Sequence, residues 1–172
     1  MKRGVYYWVM QTIIHILADG AVIPIVLIAT YALLFKIPNN KKYQAYCRIL
    51  MAGLTSYLAA KLIATVYQPS GERPFEILGV APGASYLQNA GFPSDHALFC
   101  AAITLAVWFE TRSKIMTIIL ATLTVLVCLG RVLALVHTPL DVIGGVLVAF
   151  IGAGWYLNVA RPATTTHTTK NS

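Results

Sequence analysis

Residues 115–160 read IMTIILATLTVLVCLGRVLALVHTPLDVIGGVLVAFIGAGWYLNVA. Two apolar runs, 115–136 and 140–160, approach or exceed the roughly 20 helical residues that cross a bilayer. A break separates them, and Arg131, His137 and Asp141 gather around it. Thr138 is a helix-capping residue type, Pro139 suits a first helical turn, and Asp141 falls three residues after the cap. The pattern predicts two membrane helices meeting at a junction, with Arg131 closing the first and Asp141 in the opening turn of the second. His137 and Asp141 are four apart, within side-chain reach across one turn. A cation, an imidazole and a carboxylate at such a junction suit an anion with a nucleophile or base beside it.

The rest of the chain fits a membrane setting. Of 172 residues, 58% are hydrophobic and 11% charged, where a soluble domain carries about 25% charged residues. There is too little polar surface to cover a water-soluble globule, so the expected fold is an all-α integral membrane bundle with the bilayer as its partner. The net charge of +7 is read as a topology signal and not as a nucleic-acid footprint. Cys47, Cys100 and Cys128 lie in or beside apolar segments without metal-ligand spacing, which predicts buried free thiols. Lys2 and Arg3 precede an apolar run with no convincing cleavage site. That run is read as a first membrane helix, with Ala18-Asp19-Gly20 as the turn to the next.

Six apolar segments result, at 5–18, 21–35, 49–67, 97–109, 115–136 and 140–160. They predict about six transmembrane helices in a domain over residues 1–160, followed by a polar, Thr-rich, disordered tail over 161–172. The first segment is short, and the alternative for it is an amphipathic helix lying in the membrane interface. If all six span, ten of the thirteen Lys and Arg residues fall on one side. The positive-inside rule makes that side cytoplasmic, with both termini on it. Lys61, Arg73 and Arg131 remain. A charge within a membrane helix costs about 2.5–3.5 kcal/mol on insertion scales, so each needs a reason.

Taken singly, these residues have ordinary readings: Lys61 as a snorkelling lysine, Arg73 as a solvated loop residue, His96 as a surface histidine at a helix start. Taken together, Lys61, Arg73, Ser94, Asp95, His96, Arg131, His137 and Asp141 map to one membrane face, alongside the long Gly-, Pro- and Ser-containing connection 68–93. Ser94 is a good N-cap for the fourth segment. Three cations and a helix N-terminus make a phosphate cradle, and two histidines supply the nucleophile and proton-transfer roles of phosphoryl transfer. No HxxxH or HExxH pattern is present, so no metal and no cofactor are expected.

At this point the residues resemble the type 2 phosphatidic acid phosphatase superfamily of membrane lipid phosphatases, whose motifs are K-x6-RP, PSGH and SR-x5-H-x3-D. The third motif matches Gly130-Arg131, His137 and Asp141 in spacing, with Gly130 in place of Ser. The second matches Pro93-Ser94-Asp95-His96, with Asp95 in place of Gly; this PSDH form is similar to the undecaprenyl-diphosphate phosphatase branch. The first departs, because eleven residues separate Lys61 from Arg73-Pro74. Gln68-Pro69 keeps the family spacing without the cation, and Arg73 is preferred because a dianion needs the charge.

The resemblance implies a metal-independent phosphatase. His137 would attack phosphorus, Asp141 would orient it and His96 would protonate the leaving group. Lys61, Arg73, Ser94 and Arg131 would hold the phosphoryl oxygens, with Asp95 in the same pocket. The implied substrate is a polyprenyl diphosphate at the extracytoplasmic face of the cell membrane. Phosphatidate or phosphatidylglycerophosphate is the alternative, and a non-catalytic anion-binding or transport subunit is the rival of another class. The sequence leaves the oligomeric state open.

Overall fold

The computed structural model describes residues 2–157 except 70 and 90, so the expected tail at 161–172 lies outside the described residues. The helices are α1 (Lys2–His15), α2 (Val22–Phe35), α3 (Lys42–Val66), the short α4 (Pro74–Ile77), α5 (Asp95–Thr111), α6 (Lys114–Leu133) and α7 (Pro139–Leu157). Among the described residues there is no strand. The runs 8–35, 39–66, 114–133 and 139–157 are long and apolar enough to cross a membrane. The protein is an integral membrane helical bundle.

The shorter α5 is its centre, packing against α2, α3, α6 and α7. The reason lies in side-chain size. Ala97, Cys100, Ala101, Thr104 and Ala106 of α5 are buried, whereas Leu58, Leu62, Ile118, Leu147 and Phe150 are exposed on the bundle's outside. Lipid tails are as apolar as leucine, so helices associate here by close packing of small residues and not by hiding large ones. Cys100 is buried as expected, but Cys47 is exposed. At one end of the bundle, Arg48 of α3 holds Glu110 of α5 through two hydrogen bonds of 2.8 and 2.7 Å. That end also carries Lys36, Lys41, Lys42, Arg112 and Lys114. The other end carries the N-termini of α5 and α7, the C-termini of α3 and α6, and the 67–94 connection.

Residues 5–35 depart from the expected helix–turn–helix. Ala18-Asp19-Gly20 is not a turn: Ile16–Gly20 form a π-helical segment, and the flanking His15 and Ala21 keep right-handed helical backbone. The helix therefore runs on from α1 through the π segment into α2. Among the described elements α1 packs on the π segment and α6, and not on α2, α3 or α5. A hairpin of two antiparallel crossings is absent, and α1 stays at the end of the bundle where α6 finishes. Residues 8–35 thus form one long apolar run of helix and not two short helices joined by a turn.

Glycine on α7 sets how closely α3 can approach. The Gly152 amide donates to Ser56 Oγ at 3.1 Å, and that hydroxyl donates to the Ala149 carbonyl at 3.2 Å. A Cβ at 152 would collide with the Ala52 carbonyl and Ser56 Oγ, while a Cβ at 154 would face open space. Gly152→Val is expected to destabilise the bundle by about 1–3 kcal/mol through overpacking, whereas Gly154→Ala leaves it unchanged. Thermal melts of the purified protein in detergent check both.

Candidate active site

The end of the bundle away from Arg48 and Glu110 holds the polar residues singled out above. Ser94 is the N-cap of α5, and its Oγ accepts from the Ala97 amide at 3.5 Å. Its own amide donates to the Asp141 carbonyl at 2.9 Å, so the start of α5 is tied to the first turn of α7. This approach needs Gly145, where a Cβ would meet the Ser94 carbonyl.

The junction between α6 and α7 follows from local chemistry. Leu135 adopts φ +60°, a left-handed conformation that turns the chain after α6. Thr138 then caps α7: its Oγ1 accepts from the Asp141 amide at 3.2 Å, and its own amide donates to Asp141 Oδ2 at 2.7 Å. This reciprocal cap is the one the sequence predicts. It also fixes the Asp141 carboxylate, whose Oδ2 lies 3.5 Å from His137 Nδ1. That separation is an ion-pair distance and not a formed hydrogen bond, and Nδ1 has no other partner among the described residues. With Nδ1 turned to the carboxylate, Nε2 is the nitrogen available to a substrate.

Arg73 is brought to this junction by the connection between α3 and α5. It is 8% exposed. Its Nη1 donates to the Val136 carbonyl at 2.6 Å, and its Nη2 donates to the Leu87 carbonyl at 3.0 Å and to Asn89 Oδ1 at 3.1 Å. The flanking Glu76 accepts the Arg73 backbone amide at 2.6 Å and does not pair with the guanidinium. Gln68, the competitor for this position, donates to the Ala64 and Phe92 carbonyls. Both residues line an open cleft of about 540 Å³ that reaches Asp141, but Arg73 is the one anchored beside His137.

Arg131 is 1% exposed near the end of α6. Its Nη1 donates to Asp19 Oδ1 at 2.7 Å, and its Nε has no hydrogen-bond partner among the described residues. A buried orphan donor beside a histidine calls for an acceptor, and a phosphoryl oxygen supplies one. His96 is partly buried in the first turn of α5, with Nε2 3.9 Å from Asp19 Oδ1. Arg131, His137 and Asp95 also lie within its electrostatic reach. Lys61 donates to both oxygens of Asp95, at 3.0 and 3.2 Å, and its Nζ lies 5.0 Å from the Tyr57 ring centre. The carboxylate that replaces glycine in the second motif thus neutralises the lysine of the first.

Asp19 was missed in reading the sequence, where it served only as a turn former. Its signal was nonetheless present, since an acid in an otherwise apolar helix needs a partner. Asn89, which links Arg73 to Asp95, carried no signal.

Burial lowers the pKa of His137 below the usual imidazole range, and the charges of Arg131 and Arg73 add to this against the opposing pull of Asp141. That direction favours the neutral ring, the form in which an imidazole can act as a nucleophile. Among the described residues no three His, Cys, Asp or Glu side chains are grouped to hold a metal ion.

Comparison with known proteins accords with this chemistry. The chain is 29% identical over 144 residues to undecaprenyl-diphosphatase BcrC of Bacillus subtilis (strain 168), covering 83% of this chain and 71% of that protein. No solved structure matches at a comparable level of significance. Residues 43–165, which include every site residue expected from the sequence but not Asp19, match the PAP2 superfamily, and the chain belongs to that family of phosphatases.

Proposed function

We propose that this membrane phosphatase removes the terminal phosphate of a polyprenyl diphosphate through a phosphohistidine. The observation that carries the reading is the grouping of His137, His96, Arg73 and Arg131 at one end of the bundle, with Asp141 behind His137 Nδ1. His137 Nε2 attacks the terminal phosphorus while the bond from phosphorus to the bridging oxygen breaks. The electron pair leaves on that oxygen, and His96 supplies its proton. Water then attacks the phosphohistidine, giving a proton back to His96 and releasing inorganic phosphate. Arg131 Nε, Arg73 and the first amides of α5 meet the phosphoryl oxygens, so charge is balanced by side chains without a metal ion.

The diphosphate is favoured by the relative whose printed name is undecaprenyl-diphosphatase. Lys36, Lys41, Lys42, Arg112 and Lys114 cluster at the opposite end, which supports an extracytoplasmic site. We read 8–35 as a single crossing, which would leave α1 at the outer interface, the alternative reading of that segment. The test is phosphate release by detergent-solubilised protein from polyprenyl diphosphate, phosphatidate and phosphatidylglycerophosphate, with and without EDTA. The expected order places the diphosphate first and EDTA without effect. A preference for phosphatidate overturns the substrate, loss in EDTA overturns the side-chain mechanism, and no hydrolysis of any of them favours the binding-protein rival.

A further inference from the structure

We propose that Asp19 is a positioning residue of the active site: it pairs with His96 as Asp141 pairs with His137, and it fixes the Arg131 guanidinium behind the phosphate. The inference rests on the proposed phosphatase reading, in which His96 is the leaving-group acid.

Four observations converge on the Asp19 carboxylate. Its Oδ1 holds Arg131 Nη1 at 2.7 Å and stands 3.9 Å from His96 Nε2. Its Oδ2 accepts from the Ser85 amide at 2.9 Å and the Ser85 hydroxyl at 2.8 Å, and faces His15 Nδ1 at 3.2 Å. It is carried on the π segment Ile16–Gly20, an irregularity found mostly as single turns at functional sites because it re-aims one side chain. The π backbone also lies directly against α6 one residue before Arg131, where a Cβ on Gly130 would meet the backbone of Leu17 and Ala18. The glycine that replaces serine in the third motif is therefore what admits Asp19 to the site.

The consequence for chemistry is specific. With Nε2 of His96 turned toward Asp19, Nδ1 is the nitrogen free to meet a leaving group. Burial and the charge of Arg131 lower the His96 pKa; a fixed carboxylate here opposes both, holding the ring in that orientation and favouring the protonated imidazole that an acid requires. The other charges facing His96 are Arg131 from α6, His137 from the junction and Asp95 from its own helix, and Asp95 is already engaged by Lys61. Asp19 is the carboxylate that reaches His96 from outside its own helix, while it holds Arg131 through the same oxygen.

The test compares phosphatidate, whose alkoxide leaving group needs a proton, with p-nitrophenyl phosphate, whose leaving group does not. Asp19→Asn in the full-length, detergent-solubilised protein is expected to lower the single-turnover rate of the first step, in which His137 is phosphorylated and the leaving group departs, at least ~10-fold more for phosphatidate than for p-nitrophenyl phosphate, consistent with partial loss of general acid catalysis. Asp19→Glu is expected to restore part of that difference. Should the asparagine variant not fold, Ser85→Ala, which removes one bond holding the carboxylate, reads the same ratio at smaller amplitude. Equal losses on both substrates, or no gain from Asp19→Glu, overturn the role of Asp19. A wild-type protein without phosphatase activity, or His96→Ala without leaving-group preference, overturns the underlying reading instead.

Discussion

His137→Ala is expected to reduce phosphate release by roughly 10⁴-fold or more, because removing a covalent nucleophile leaves only binding and charge stabilisation to act on the substrate. That factor corresponds to about 5 kcal/mol of barrier. The variant should remain folded. His137 Nδ1 makes no formed hydrogen bond, Asp141 keeps its cap on Thr138, and Arg73 grips the backbone of Val136 and not the imidazole. Unchanged melting in detergent alongside lost activity is therefore the expected pair of results. Burial, reinforced by Arg131 and Arg73, lowers the His137 pKa. The nucleophile stays neutral to lower pH than an ordinary imidazole, and the acid limb of kcat/KM that it controls is shifted down in the same direction. Activity retained in His137→Ala would remove the phosphohistidine from the mechanism, and an acid limb above pH 6.5 would contradict the burial of the ring.

The junction was legible in the sequence because its geometry is local. Thr138, Pro139 and Asp141 form a cap whose partners lie within three residues, and the same cap fixes the carboxylate behind His137. The bundle was legible because composition and run length report the solvent directly. What was not legible depends on residues far apart in the chain. Ala18-Asp19-Gly20 has the composition of a turn, yet contacts with Gly130 and Ser85, more than sixty residues away, hold it in a π segment. Asp95 had no assigned role until Lys61, 34 residues earlier, was found bonded to it. Across the eleven-residue gap of the first motif, the connection folds back to place Arg73 against Val136, 63 residues on. Each departure from the family pattern is matched by a tertiary contact: Gly130 with the π segment, Asp95 with Lys61, and Arg73 with the junction.

His96→Ala is expected to show a loss that depends on what leaves. For phosphatidate the departing group is an alkoxide, and loss of the acid should lower the single-turnover rate of the first step by roughly 10²–10⁴-fold. For a polyprenyl diphosphate the departing group is a phosphate monoester, whose second pKa is about 6. It needs the proton less, and the loss should be smaller. With p-nitrophenyl phosphate the first step needs almost no acid, so His137 is still phosphorylated. The second step lacks its base, because the water that attacks phosphohistidine has nothing to take its proton. The variant should then release one equivalent of p-nitrophenol in a burst, stall, and accumulate an acid-labile phosphoenzyme that the double variant His96→Ala, His137→Ala cannot form. This separates two roles that single-substrate kinetics would merge. A uniform loss across all three substrates with no burst would show that His96 holds the site together without moving a proton, and the leaving-group acid would have to be sought elsewhere at the same end of the bundle.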